Sequence, residues 1–222
     1  MKAMILAAGR GERMQPLTLT TPKPLLPAAG KPLIEHCIEN LVSGGFTEIV
    51  INLSHLGEQI RRYCGDGKQW GTTIEYSDEG EIALETAGGI AKALPLLGNQ
   101  PFLVINADIV CDYPLSKLKN QTIDLAHLVM IDNPPHHPEG DFGLTTHNLL
   151  SQHQSPKLTF SGIGIYHPDL FAGIKPEPLK LRPILNQAIA ANRISAEKYA
   201  GLWMDIGTPE RLQEVDWILR NR

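Results

Sequence analysis

Cysteine is scarce and unpatterned in this sequence. Cys37, Cys64 and Cys111 are the only three, odd in number and without Cys-x-x-Cys spacing, which excludes a disulfide framework and a thiolate zinc site. Basic residues are not in excess either. Twenty Lys and Arg stand against 24 Asp and Glu, for a formal net charge of −4, so the broad basic footprint of a nucleic-acid binder is missing. Long apolar runs are absent. The opening run Ala3 to Ala8 is ended by Arg10, Glu12 and Arg13, and nothing approaches the ~18 apolar residues of a membrane span. A soluble cytoplasmic protein with no membrane or nucleic-acid partner is expected. There is no internal repeat or low-complexity tract, and 222 residues accommodate one sizeable α/β domain better than two separate cores.

What is present begins at Met4-Ile5-Leu6-Ala7-Ala8-Gly9-Arg10-Gly11-Glu12-Arg13. An apolar run that stops at a glycine pair reads as a buried strand opening into a tight loop, where backbone N–H groups become accessible to an anion. Arg10, Arg13 and Lys23 lie close in sequence to that loop, so a polyanion would meet charge as well as amides. Gly-x-Gly alone equally describes a plain strand-to-helix turn. Two stricter phosphate motifs are excluded: Met14 occupies the third small position of the dinucleotide fingerprint, and Met14-Gln15-Pro16 replaces the Gly-Lys-Ser/Thr of a P-loop. Pro22 and Pro24 restrict the backbone around Lys23 and aim its side chain.

Further along, Leu33, Ile34, Cys37, Ile38, Leu41 and Val42 recur at helical spacing before Gly44-Gly45. A strand over 46–53, a helix over 55–64, a strand near 72–76, a helix over about 87–97 and a strand over 101–106 follow. This alternation predicts a doubly wound, mostly parallel sheet flanked by helices, with ligands at the carboxyl ends of the strands. Segments 125–131, 142–145 and 158–166 read as strands with little helix between them, so the sheet is expected to become mixed. Helices are predicted over 181–191 and from Thr208-Pro209 to Leu219. The proline-rich loop from Asn133 to Gly140 carries His136 and His137, read as solvent-facing.

Leu6-Ala7-Ala8-Gly9-x-Gly11-x-Arg13-Met14-x-Pro16-Leu17-Thr18, followed by Pro22-Lys23-Pro24-Leu25-Leu26-Pro27, resembles the opening of the sugar-1-phosphate nucleotidyltransferases. The resemblance extends to Trp203-Met204-Asp205-Ile206-Gly207-Thr208-Pro209. It implies a single nucleotidyltransferase domain over residues 1–222, with a nucleotide-binding part over about 1–110 and a sugar-binding part over about 111–222. The implied reaction is attack by a sugar 1-phosphate oxygen on the α-phosphorus of a nucleoside triphosphate, with release of pyrophosphate and no covalent enzyme intermediate.

The resemblance assigns Asp108 and Asp205 as ligands of Mg²⁺, a hard cation suited to carboxylate oxygens beside phosphates. In isolation, each aspartate reads equally as a turn former or helix cap. Arg13 and Lys23 take the catalytic charge-stabilising roles. Nucleotide contacts are implied from Leu6, Ala8, Gly9 and Gly11, and from Glu85, Thr86 and Gly88 at the start of a helix. Glu79 or a neighbour is a candidate base reader, where relatives carry glutamine, so the base stays open.

Asn106, Asp141 and Gly143, then Ser161 and Gly162, fall on the family's sugar-pocket strands, although Phe160 replaces a common Asn and the acidic Glu-Lys-Pro strand is missing. That missing strand predicts a roomier pocket, and the expected pair is N-acetylmuramic acid 1-phosphate with UTP. Lys180 and Arg182 are candidates for the sugar's lactyl carboxylate. Mannose 1-phosphate with GTP and glucose 1-phosphate with dTTP or UTP are the competing pairs. A nucleotide-sensing regulatory subunit is the non-enzymatic alternative, and loss of Arg13, Lys23, Asp108 or Asp205 would be its mark; all four are present. Monomer and small homo-oligomer are not distinguished.

Overall fold

A computed structural model describes residues 1–222. The chain runs β1 (Ala3–Leu6), β2 (Pro27–Ala28), β3 (Lys31–Pro32), α1 (Leu33–Ser43), β4 (Glu48–Leu53), α2 (Gly57–Cys64), β5 (Thr73–Asp78), α3 (Glu85–Leu97) and β6 (Phe102–Asn106). It continues through β7 (Ile109–Cys111), β8 (Ala126–Ile131), β9 (Phe142–Leu144), β10 (Leu150–Ser151), β11 (Lys157–Tyr166), α4 (Leu181–Ala190), β12 (Ile194–Tyr199), β13 (Trp203–Asp205) and α5 (Pro209–Arg220).

The first half forms a parallel sheet in the order β5-β4-β1-β6. Beyond β6 the sheet turns mixed, as expected: β11 is antiparallel to β6 and β8, while β12 is parallel to β8. Strands buried on both faces read as continuous apolar runs because each face is covered by helices. Ile5, Ile49, Ile51 and Ile105 meet Ile34, Ile38 and Leu41 of α1 and Ile60 of α2. On the other face Met4, Val50 and Val104 meet Ile90 and Ala93 of α3 and Ile184 and Leu185 of α4. Period-2 alternation thus divides one strand between two cores. A third cluster of Met14, Leu26, Leu33, Val110, Ile206 and Val215 ties the segment after the glycine loop to α5. None of the helices is long and apolar enough to cross a membrane.

Several elements escape the sequence pattern. β12 alternates buried Ile194 and Ala196 with part-exposed Ser195 and Glu197, too weak an apolar signal to announce a strand. β7 and β13 pair with each other outside the main sheet and are three residues each, set by each other rather than by local preference. Within β11 the register shifts between Phe160 and Gly164. Gly162 there has φ +77, and a Cβ on it would lie 2.6 Å from Asn106 Nδ2, so this bulge needs glycine for conformation and for space.

Candidate active site

The carboxyl ends of β1, β4, β5 and β6 open into a cavity of about 550 Å³, where a doubly wound sheet is expected to bind its ligand. The chain leaves β1 at Leu6, and the Ala7 N–H donates to Asn52 Oδ1 at 2.7 Å. Asn52 is buried at the end of β4 and donates through Nδ2 to Glu79 Oε1 at 2.7 Å; Glu79 Oε2 accepts from the Leu84 N–H at 2.7 Å. One buried relay therefore fixes the ends of β1, β4 and β5 and the approach to α3. Burial pushes the Glu79 carboxyl above its ordinary range. The sequence had offered Glu79 as a base reader, yet both its oxygens are engaged by protein donors. Asn52, which organises the relay, escaped notice because nothing distinguishes it from an ordinary strand-end residue.

The glycine loop lines this cavity. Gly11 has φ +64, and a Cβ on it would lie 3.0 Å from Thr18 Cγ2, so the turn itself requires glycine. No protein atom would obstruct a Cβ at Gly9, and the open space beside it is the cavity. Arg10 and Arg13 are exposed on the wall with no acidic partner. Lys23 is mostly buried and ion-paired with Asp108 just beyond β6. Leu6, Ala8, Thr86 and Glu85 also line the cavity. Gly88 does not. Its N–H donates to the Leu179 carbonyl at 3.3 Å, and a Cβ on it would overlap the Glu177 carbonyl, so this glycine packs α3 against the segment before α4.

A second cavity of about 430 Å³ shares Arg13, Asn106 and Asp108 with the first. Asp205 reaches it from β13, whose Cα partner across the ladder is Ile109; the Ile206 N–H donates to the Asp108 carbonyl at 2.8 Å. Two carboxylates nearly a hundred residues apart thus line one space. Each has a protein cation, Lys23 on Asp108 and Arg211 on Asp205. Two hard-oxygen donors lining the second cavity, Asp108 shared with the first, suit a divalent metal ion that takes few protein ligands and completes its shell with water and substrate phosphates.

Trp203 lies on the same wall, its Nε1–H donating to the Ser161 carbonyl at 2.9 Å. Ser161 and Gly162 line the cavity, but the Ser161 hydroxyl donates to the Val129 carbonyl at 2.7 Å, so its hydroxyl and its carbonyl are both engaged within the protein. Three expected sugar contacts are elsewhere. Asp141 accepts from Arg182 at 2.7 Å and from the Phe160 N–H at 2.9 Å. A Cβ on Gly143 would overlap the Gln154 carbonyl, and Lys180 is exposed ahead of α4 and lines neither cavity.

The histidines read as solvent-facing are exposed (His136) and part-exposed (His137), and they have a place in the site that the sequence did not show. His136 and His137 line the second cavity, with His136 Nε2 3.1 Å from Asp205 Oδ1 and 2.9 Å from Arg211 Nη1. Arg211 was missed in the sequence, where it is one of two arginines on a mostly polar helix. Its signal was its place in the first turn after Gly207-Thr208-Pro209, where the Thr208 hydroxyl caps the Arg211 N–H.

A glycine loop at the end of β1, a cationic rim, and carboxylates just past β6 and at the end of β13 line two adjoining cavities. The chain belongs to the nucleotidyl transferase family, whose model matches residues 2–221. It is 52% identical to N-acetylmuramate alpha-1-phosphate uridylyltransferase of Neisseria meningitidis serogroup B, covering 97% of this chain and 96% of that one. Against the mannose-1-phosphate guanylyltransferase catalytic subunit beta of Danio rerio it is 33% identical, over 95% of this chain but 62% of the relative. Among solved structures, a putative glucose-1-phosphate thymidylyltransferase from Bacillus anthracis in complex with a sucrose superposes with a TM-score of 0.84, over 100% of this chain and 96% of that one. At 24% identity this last likeness concerns the fold.

Proposed function

We propose that the protein transfers a uridylyl group from UTP to N-acetylmuramic acid 1-phosphate, releasing pyrophosphate and forming UDP-N-acetylmuramic acid, a step in cytoplasmic recycling of peptidoglycan sugars. The observation that carries this reading is the 52% identity over nearly the full length of both chains, against about 30% over part of the guanylyltransferases. The first cavity takes the triphosphate and the second the sugar phosphate, so that residues 1–110 and 111–222 divide the substrates approximately between them.

Leu6, Ala8, Gly9 and Gly11 present backbone to the nucleotide. Arg13, common to both cavities, stabilises the leaving pyrophosphate, and Lys23 the charge growing around the α-phosphorus. Fixed cations of this kind lower the barrier when they meet charge that develops in the transition state. Asp108 and Asp205 are the residues that would hold Mg²⁺. Bound there, the cation neutralises phosphate oxygens and orients the two substrates. Asn106, Gly162, Trp203 and the histidine loop form the sugar wall. Because Lys180 is remote and Arg182 is engaged by Asp141, the cationic help for the lactyl carboxylate is assigned to the wall bearing His136, His137 and Arg13.

Purified protein is incubated with each nucleoside triphosphate and a panel of sugar 1-phosphates, with and without Mg²⁺, and pyrophosphate release is followed. UTP with N-acetylmuramic acid 1-phosphate and Mg²⁺ is expected to be fastest. Equal consumption of glucose 1-phosphate or N-acetylglucosamine 1-phosphate, or a preference for GTP, contradicts the assignment.

A further inference from the structure

Charge is unevenly spread in the triphosphate cavity: Arg10, Arg13 and Lys23 stand at the glycine-loop end, with Glu12 beside them and Asp108 paired to Lys23, whereas the α3 end carries two acids, Glu79 and Glu85, and no lining cation. The two acids are not alike. Glu79 is buried, with both oxygens held by Asn52 and the Leu84 N–H. The Glu85 side chain is exposed on the cavity wall and has neither a salt bridge nor a hydrogen bond to the protein. Its backbone has φ +56, a region that glycine enters freely and that a residue with a Cβ enters at a cost.

No protein contact of the side chain offsets that cost. An acid in the first turn of a helix is favoured by the dipole, which accounts for the charge but not for a Cβ in this conformation. A strained residue whose free side chain lines a substrate cavity calls for a role toward the substrate. The triphosphate itself is excluded as the partner, since like charges repel, and belongs at the cationic end.

We propose that the Glu85 carboxylate accepts a hydrogen bond from the nucleoside half of the triphosphate, and that this contact sets which nucleoside is used. The inference rests on the uridylyl reading. Uridine offers two kinds of donor to such an acceptor, the imide N3–H of the base and the ribose hydroxyls. Cytosine presents a lone pair where uracil presents N3–H, so a carboxylate facing that edge repels it. A carboxylate facing the sugar instead discriminates against a deoxyribose.

The test compares wild type with Glu85→Gly and Glu85→Gln, reading kcat/KM for UTP, CTP and dUTP at saturating sugar 1-phosphate, together with the melting temperature of each protein. Glycine suits the positive φ, so Glu85→Gly is expected to melt at or above the wild-type temperature. Its kcat/KM for UTP is expected to fall by about ten- to a hundredfold, the worth of a charge-assisted hydrogen bond. Glu85→Gln, which keeps an acceptor oxygen without the charge, is expected to fall less. Discrimination narrows in the CTP arm if the imide is the partner and in the dUTP arm if a ribose hydroxyl is. Unchanged UTP/CTP and UTP/dUTP ratios in Glu85→Gly overturn the proposal. A wild-type enzyme that prefers GTP removes the uridylyl reading alone; the GTP/ATP and GTP/dGTP ratios then read Glu85 by the same logic, because guanine N1–H is a donor where adenine N1 is an acceptor.

Discussion

Asp108 and Asp205 approach one cavity from neighbouring short strands, each neutralised by a single cation of the protein. Asp108→Asn and Asp205→Asn keep shape and remove one negative charge. Turnover is expected to fall by about a hundredfold or more while the melting temperature changes little, because both pairs are partly solvated and contribute modestly to stability. Near-wild-type turnover of both variants at limiting Mg²⁺ would remove the shared-cation assignment. Lys23→Ala is expected to lose turnover and Arg13→Ala to lose pyrophosphorolysis as well, read from the reverse reaction with UDP-sugar and pyrophosphate.

His127 lies outside the site and makes a different prediction. It is 4% exposed in β8, with Nδ1 2.9 Å from Ser195 Oγ and no partner for Nε2. Burial lowers its pKa below the ordinary 6.5. The unfolded chain therefore takes the proton first as pH falls. Stability contributed by the neutral ring is present above about pH 6.5 and is lost as pH drops from there toward the folded pKa. His127→Gln should flatten the decline of melting temperature between about pH 7 and pH 5.5; an unaltered slope would show that other groups carry it.

At the scale of elements, two glycines separate packing from ligand contact. Gly162 in β11 carries φ +77 against Ile109 and Asn106, so Gly162→Ala should cost about 1–3 kcal/mol of stability and raise the KM for the sugar phosphate by moving Asn106. Gly88→Ala should lower the melting temperature by several degrees through overlap with Glu177, an overpacking penalty of about 1–3 kcal/mol, with KM for the triphosphate unchanged in the folded fraction. A Gly88→Ala protein of wild-type stability and weakened UTP binding would restore the ligand role read from the sequence.

These glycines also mark what the sequence could reveal. α1 was legible because its apolar residues repeat at helical spacing, and the glycine loop because a buried run ends at two glycines beside fixed cations. Asp108, past an apolar strand, reads alone as a turn former, and only the family resemblance singled it out. Gly88 looked like a ligand glycine because its partner, the Glu177 carbonyl, comes from a distant loop that no local pattern encodes. Arg211 and His136 were hidden for the same reason. Each resembles a surface residue until β13 and α5 bring them to Asp205.

Over the whole molecule, the parallel half of the sheet builds the first cavity, proposed for the triphosphate, and the mixed half lines the second, proposed for the sugar phosphate. Arg13, Asn106 and Asp108 are common to both. Two substrates held in adjoining spaces can react directly, and most of the acceleration then comes from orientation and fixed charge. In the proposed reaction the sugar phosphate is the only nucleophile. Exchange of labelled pyrophosphate into UTP in the presence of Mg²⁺, with and without N-acetylmuramic acid 1-phosphate or UDP-N-acetylmuramic acid, tests that most directly. Label should enter UTP only when the sugar component is present; exchange in its absence would reveal a uridylylated enzyme and contradict direct transfer between the two cavities.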